Sequence, residues 1–159
     1  MTRSIVLLAV WLATTSHAIA AWNTVEFRSG ATGKLFRVAS LTAETGSSPI
    51  TATLSIDCRH SSGDRYVWFR LSEKREARAS LSWRVDKGPV QNMDIPYLVG
   101  RPATSAELAI APKTLTRAKR VHVEWHAANG THLSYDFDVS GAKKAIAYIP
   151  CVKAKEAEF

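Results

Sequence analysis

Alternation of apolar and polar residues dominates this chain and limits the folds that it can adopt. The pattern recurs in residues 50–58, 65–72, 79–86, 121–126 and 131–139. Successive side chains of a β-strand point to opposite faces, so each segment predicts a strand with one buried and one solvated face. We therefore expect a mostly β chain, folded as a small antiparallel β-sandwich or curled sheet with one or two short helices.

The register of the last hairpin can be predicted from its turn. Asn129 and Gly130 mark the turn, but a two-residue loop would pair Trp125 with Ser134 and put the two apolar faces out of phase. A three-residue loop that ends at a left-handed Gly130 pairs Trp125 with Leu133 instead. That register keeps the apolar residues of both strands on one face, and we expect it.

Weaker patterns indicate the remaining elements. Strands are expected near residues 24–28 and 34–41, with a short return strand at residues 90–95. Residues 142–149 carry apolar side chains at helical spacing and are followed by a proline, which predicts a short helix. A second short helix is expected around residues 105–110.

The first 20 residues predict export. A short basic start is followed by the apolar run Ser4–Ala13 and by Ala18-Ile19-Ala20, which is typical of a signal peptidase site. We expect cleavage between Ala20 and Ala21. The alternative, a membrane anchor, requires roughly 20 apolar residues, about twice the length of this run. The chain is thus predicted to be a signal peptide (1–20) followed by one exported domain (21–159), periplasmic or secreted.

Two cysteines, Cys58 and Cys151, remain after this cleavage. In an oxidising compartment a pair of cysteines predicts one disulfide bond. The alternative is a redox or metal-binding pair, but the C-x-x-C spacing that favours such a pair is absent.

The chain is basic, with a formal net charge of +7, of which the leader carries one unit at Arg3. A positive domain favours anionic partners, such as an anionic glycan, a lipid surface or an acidic protein. Export argues against nucleic acid. A basic run at residues 113–120, interpreted as a solvated loop, is a further place where an anionic surface can dock. The alternative is that the charges serve solubility alone.

One predicted strand face combines aromatic and basic side chains, which are typical anchors of protein interfaces. The alternative is that a second layer covers its aromatic residues and makes them core. The candidate binding residues are Tyr66, Trp68, Arg70, Lys74, Arg75 and Arg78.

A second candidate site lies on the polar face of the predicted hairpin. The expected register places His126 opposite His132 and His122 opposite Asp136, with Glu124 between the two histidines of its own strand. Imidazoles and carboxylates at cross-strand distance are ligands that zinc and copper prefer. Exposed strand faces also carry such residues without any ligand, so these are weak metal candidates, and no cofactor is expected.

No catalytic motif in the sequence rises above background. The chain has no G-x-S-x-G elbow and no glycine-rich phosphate loop. A disulfide would also remove the thiolate that a cysteine enzyme requires. We therefore expect a non-enzymatic exported binding or accessory protein. The alternative is a metal-binding or hydrolytic protein that uses the polar face of the hairpin.

Three segments, residues 50–58, 80–88 and 121–151, resemble a known family. They contain a strand that ends in cysteine, an R-x-D-x-G strand end (Arg84 to Gly88) and an F-D-x-S-G turn into a short helix before a final cysteine. In this order they resemble the VasI/TagO-type periplasmic proteins associated with type VI secretion.

The resemblance implies an exported β-rich accessory domain with a Cys58–Cys151 bond, and it implies no catalytic residues. Its partner would be an envelope or secretion-system protein. An exported protein that acts on host or rival cells is a further interpretation that the sequence leaves open.

Overall fold

A computed structural model describes residues 22–28, 35–46, 49–59, 63–75, 78–95 and 103–151. These residues form two antiparallel five-stranded sheets and two short helices. The first sheet has the order β1-β2-β4-β5-β8, with β1 Asn23–Arg28, β2 Leu35–Thr42, β4 Ala52–Arg59, β5 Asp64–Arg75 and β8 Ala103–Leu108. The second has the order β3-β10-β9-β6-β7, with β3 Thr45–Gly46, β10 His132–Asp138, β9 Arg120–Ala127, β6 Ala79–Val85 and β7 Gln91–Ile95. The helices are α1 Pro112–Leu115 and α2 Ala142–Tyr148.

The core lies between the apolar faces of the two sheets. At its centre the ring of Phe69 on β5 packs against Trp125, Tyr135 and Phe137 of the second sheet, with ring centroids 6.3, 6.0 and 6.2 Å apart. All four side chains are fully buried. The expected antiparallel, mostly β architecture is thus confirmed, and the period-two pattern identifies the buried face of β4, β5, β6, β9 and β10 correctly.

The predicted hairpin register is confirmed. Trp125 pairs with Leu133, and His126 pairs with His132. The amide of Ala127 donates to the carbonyl of Thr131, which closes a three-residue loop. Gly130 adopts the left-handed conformation with φ = 86°.

One helix prediction is wrong. The segment around residues 105–110 is not helical, because residues 103–108 form strand β8 and pair with β5. Its buried Ala106 and Leu108 alternate with the partly exposed Ser105 and Glu107, so a period of two decides the structure. A helix instead begins at Pro112 and continues to Leu115, into the start of the basic run (113–120) that was expected to be a loop. Proline is favoured at the first position of a helix, because the backbone N–H that it lacks would have no partner within the helix there.

The closing helix is attached to the first sheet by two interactions. Cys58, buried on the inner face of β4, forms the expected disulfide with Cys151, with the Cα atoms 5.5 Å apart. Arg65, which pairs with Cys58 on the neighbouring strand, donates from Nε and Nη2 to the carbonyl of Ile149 at 3.1 and 2.7 Å. The end of α2 is therefore held beside the edge of the core.

Two of the motifs that carry the family resemblance, around Asp86 and around Asp138, form turns. The Asp86 carboxylate accepts hydrogen bonds from the amides of Lys119 and Arg120 at 3.0 and 2.9 Å, and thereby fixes the start of β9. Asp138 accepts from the amide of Ser140 at 2.8 Å in the turn that leads to α2. Each of these polar groups has a local structural role.

The predicted leader, residues 1–20, lies outside the described residues. In the portion of the chain that the structure describes, no helix has the length and apolar character that a membrane crossing requires.

Reduction of the disulfide should destabilise the domain strongly. The bond joins residues 93 positions apart, and chain-entropy arithmetic assigns about 4–5 kcal/mol to a loop of that size. We expect the free energy of unfolding in urea to fall by an amount of this order when a reductant is added. The control is Cys58→Ala/Cys151→Ala, whose unfolding should not respond to reductant. An unchanged urea midpoint of the parent in reductant would contradict the prediction.

Loss of the Tyr135 hydroxyl should also destabilise the fold. This group donates to the carbonyl of Ile50 at 2.7 Å inside the core, and a buried hydrogen bond contributes about 1 kcal/mol net. We expect Tyr135→Phe to lower the free energy of unfolding by that amount. The matched control is Tyr66→Phe, because the Tyr66 hydroxyl lies on a partly exposed face, 3.4 Å from Asp57 Oδ2. Equal effects of the two substitutions would contradict the prediction.

Candidate functional site

The outer face of the first sheet carries an unusual number of aromatic side chains. Because Phe69 and Val67 point into the core, Tyr66 and Trp68 point outward. Both are partly exposed, and their rings form an edge-to-face pair with centroids 5.8 Å apart. They are therefore not the interior of a further layer within the described part of the chain.

Strands β1 and β2 carry further apolar side chains on this face, separated from Tyr66 and Trp68 by Ser55 and Asp57 of β4. Phe27 pairs with Phe36, and the two rings stack with centroids 5.3 Å apart and planes at 6°. Val25 pairs with Val38 beside them. Phe27 is 49% exposed and Val25 is 45% exposed. We refer to the six apolar and aromatic side chains as the aromatic face: Val25, Phe27, Phe36, Val38, Tyr66 and Trp68.

The sequence identified only two of these six side chains. It indicated Tyr66 and Trp68, because they alternate within one strand. The two phenylalanines were missed as part of a site, although their strands were predicted. The positions of Phe27 and Phe36 within their predicted strands could have indicated that both rings point to one face. The sequence does not show, however, that β1, β2, β4 and β5 lie side by side.

The predicted basic residues do not all join the aromatic face. Arg70 is exposed on the same face as Trp68, and Lys74 and Arg75 end strand β5. Arg78 lies elsewhere, where its carbonyl accepts from the amide of Ala128 at 2.7 Å, beside the hairpin of the second sheet. The candidate residues therefore divide between two surfaces.

Acidic side chains accompany the aromatic face. Asp57 pairs with Tyr66, and Glu107 pairs with Trp68. These two carboxylates offset the charge of Arg70. The aromatic face is accordingly apolar and near neutral, rather than basic.

The outer face of the second sheet brings the predicted metal candidates together. The rings of His126 and His132 stack with centroids 4.4 Å apart and planes at 10°. Glu124 Oε2 lies 3.4 Å from His126 Nε2. One ligand atom from each of these three side chains lies within 4.8 Å of the other two. We call His122, Glu124, His126 and His132 the histidine cluster.

His122 holds the Glu124 carboxylate from the other side. His122 Nε2 lies 3.3 Å from Glu124 Oε1, while Nδ1 lies 3.1 Å from Asp136 Oδ1. The Ser82 hydroxyl donates to Glu124 Oε2 at 3.3 Å. These contacts, above all the hydrogen bond from His122, lower the pKa of Glu124 although partial burial opposes the change. The carboxylate is thus ionised and its orientation is fixed.

A groove of about 620 Å³ lies at one end of the sandwich, between α1 and the turn that follows β6. Its lining is mostly apolar and includes Trp83, Ile110 and Ala118. The basic side chains of Lys113 and Arg117 also line it. Part of the predicted basic run therefore borders a concave apolar surface. Neither the aromatic face nor the histidine cluster contributes to the lining.

Comparison of the chain with protein-family models, with curated proteins and with solved structures finds no match.

The ionised Glu124 should stabilise the fold in a pH-dependent way. Since its pKa is lowered in the folded protein, its contribution is present above the unfolded-state value of about 4.3 and disappears as the pH falls through the lower folded value. In chelator-treated buffer, Glu124→Gln should therefore lower the urea midpoint at neutral pH and match the parent in acid.

Charged and titratable side chains surround Glu124 on its own strand and on the two neighbouring strands. His122 and His126 flank it on β9, Arg84 lies on β6, and His132 and Asp136 lie on β10. Because the hydrogen bond from His122 is the main cause of the lowered pKa, the effect of Glu124→Gln should shrink in a His122→Gln background. A double-mutant cycle in which the two substitutions are simply additive at neutral pH would contradict this explanation.

Proposed function

We propose that this chain is a non-enzymatic, exported binding protein and that the aromatic face is its binding surface. The observation that carries the proposal is the stacked pair Phe27–Phe36 on the outer side of the sheet, with Phe27 about half exposed. Full burial of a phenylalanine side chain stabilises by about 1.5–3 kcal/mol. Because Phe27 stays about half exposed after folding, a partner that covers this face would gain part of that free energy by burying the rest of the side chain.

The chemistry of the face favours a protein partner. Aromatic side chains are enriched at the energetically dominant positions of protein interfaces. Arg70 is offset by Asp57 and Glu107, so the charge of this surface does not select an anionic glycan or lipid. The face also belongs to a sheet and is not a concave pocket of the kind that usually encloses a small molecule.

The place of action that we propose is the cell envelope. The apolar leader favours export, and the Cys58–Cys151 bond is stable in an oxidising compartment such as the periplasm or the exterior. The resemblance to VasI/TagO-type proteins supports an accessory role beside a type VI secretion apparatus. The partner would then be an envelope or secretion-system protein.

The proposal predicts that substitutions on the aromatic face abolish partner capture. The disulfide-bonded chain would be expressed in its native host, cross-linked in the envelope and purified, and co-purifying proteins would be quantified. We expect Phe27→Ser and Trp68→Ala each to reduce the amount of a specific envelope partner at least about tenfold, which corresponds to roughly 1.4 kcal/mol.

The matched control is Val90→Ser, which removes an apolar side chain that is 58% exposed but lies beside the second sheet. This variant should capture the partner as the parent does. Circular dichroism and thermal unfolding would verify that all three variants fold. Capture that is equal in Phe27→Ser, Trp68→Ala and the parent, or no specific partner of the parent, would refute the proposal.

A further inference from the structure

We propose that Glu124, His126 and His132 form a binding site for a divalent transition-metal cation of the zinc and copper class, with Zn²⁺ as the probe. The site goes beyond the proposed partner binding, because it lies on the outer face of the other sheet. It uses two imidazoles and one carboxylate that come from the two strands of one hairpin.

The backbone brings the three ligands together without help from any other segment. The pairing of His126 with His132 places the two imidazoles side by side, and their rings stack at 4.4 Å. Glu124 lies two residues before His126 and therefore on the same face of β9. The ligand atoms lie within 4.8 Å of one another.

Closure of this set around an ion requires only small side-chain rotations. Zinc binds histidine nitrogen and carboxylate oxygen at about 2.0–2.2 Å, so ligand atoms around a shared ion must approach to roughly 3–3.5 Å. Glu124 Oε2 and His126 Nε2 are already 3.4 Å apart. Both imidazoles are exposed, so the rings can turn from their stacked arrangement until one nitrogen of each points at the ion.

The carboxylate is prepared for this role by groups that are not themselves the proposed ligands. Its Oε1 is held by His122, and the opposite nitrogen of His122 is held by Asp136. This arrangement leaves Oε2 directed toward the histidine pair. Contacts that orient a ligand in this way raise metal affinity because the ligand loses less conformational freedom on binding.

The ligand set also indicates which cations should bind. Imidazole favours zinc, copper and nickel, whereas magnesium and calcium prefer sites built from oxygen alone. Two histidines and one carboxylate leave the fourth position of a tetrahedral zinc ion for water.

The test is isothermal titration calorimetry with ZnCl₂ on tag-free, disulfide-bonded protein at neutral pH, with MgCl₂ as a parallel titrant and CuCl₂ to compare the transition metals. We expect one zinc ion per chain, no response to magnesium, and tighter binding of copper, in keeping with the general affinity order of these ions. His126→Asn and His132→Asn should each weaken zinc binding by more than the roughly tenfold that loss of a supporting contact typically costs.

Two matched controls separate this site from other ligands. His60→Asn removes the one histidine of the predicted mature chain that is not in the cluster, and Glu107→Gln removes a carboxylate on the first sheet. Both should bind zinc as the parent does. Histidine ring resonances in NMR spectra provide a measurement that needs no variant, because zinc should shift the signals of His126 and His132 at a one-to-one ratio.

The proposal would be overturned if the parent bound zinc no better than magnesium, or if His126→Asn and His132→Asn bound it as tightly as the parent. Loss of binding in His60→Asn alone would overturn it as well, because the ion would then be held elsewhere. Partner capture through Phe27 and Trp68 is a separate readout, so either proposal can fail without the other.

Discussion

The packing of Phe69 against three aromatic rings of the opposite sheet determines what this protein presents to its surroundings. Those contacts, at centroid distances of 6.0 to 6.3 Å, fix which face of β5, β9 and β10 is buried. Because side chains alternate along a strand, Trp68 beside Phe69 and Glu124 beside Trp125 must then point outward. A shift of one residue in any of these strands would bury the candidate residues and expose the core.

The disulfide lies at the end of the sandwich and also helps to position the outer face of the first sheet. Beyond Cys151 and Arg65, helix α2 contacts β2, where the guanidinium of Arg37 lies 5.2 Å from the centre of the Tyr148 ring. Arg37 also donates to Glu26 on β1 at 2.6 Å. A continuous series of contacts therefore runs from the disulfide to the edge strand that carries Phe27. Attachment of the last helix and presentation of the aromatic face are parts of one arrangement.

The sequence predicted those features that depend on local pattern. The register of the last hairpin followed from Gly130 and from the phase of two adjacent strands, and with it the histidine cluster. Strand β8 was misread because its six residues combine helix-forming alanine, glutamate and leucine with a short alternation. Its pairing with the distant β5 decided between these tendencies. The aromatic face was found only in part, because it depends on β1 and β2 lying beside β4 and β5 in one sheet, which the pattern within a single strand does not show.

The two proposed sites lie over the same core, but we expect each to bind its ligand independently of the other. Trp68 on the aromatic face adjoins Phe69, and Glu124 of the histidine cluster adjoins Trp125, so the 6.3 Å contact between Phe69 and Trp125 is a direct physical connection between them. Coupling between sites requires an element with two alternative arrangements that each ligand favours differently. Close-packed aromatic rings inside a sandwich that is closed by a disulfide offer a single well-packed arrangement. Metal binding should therefore leave partner affinity unchanged, and by linkage the reverse holds as well.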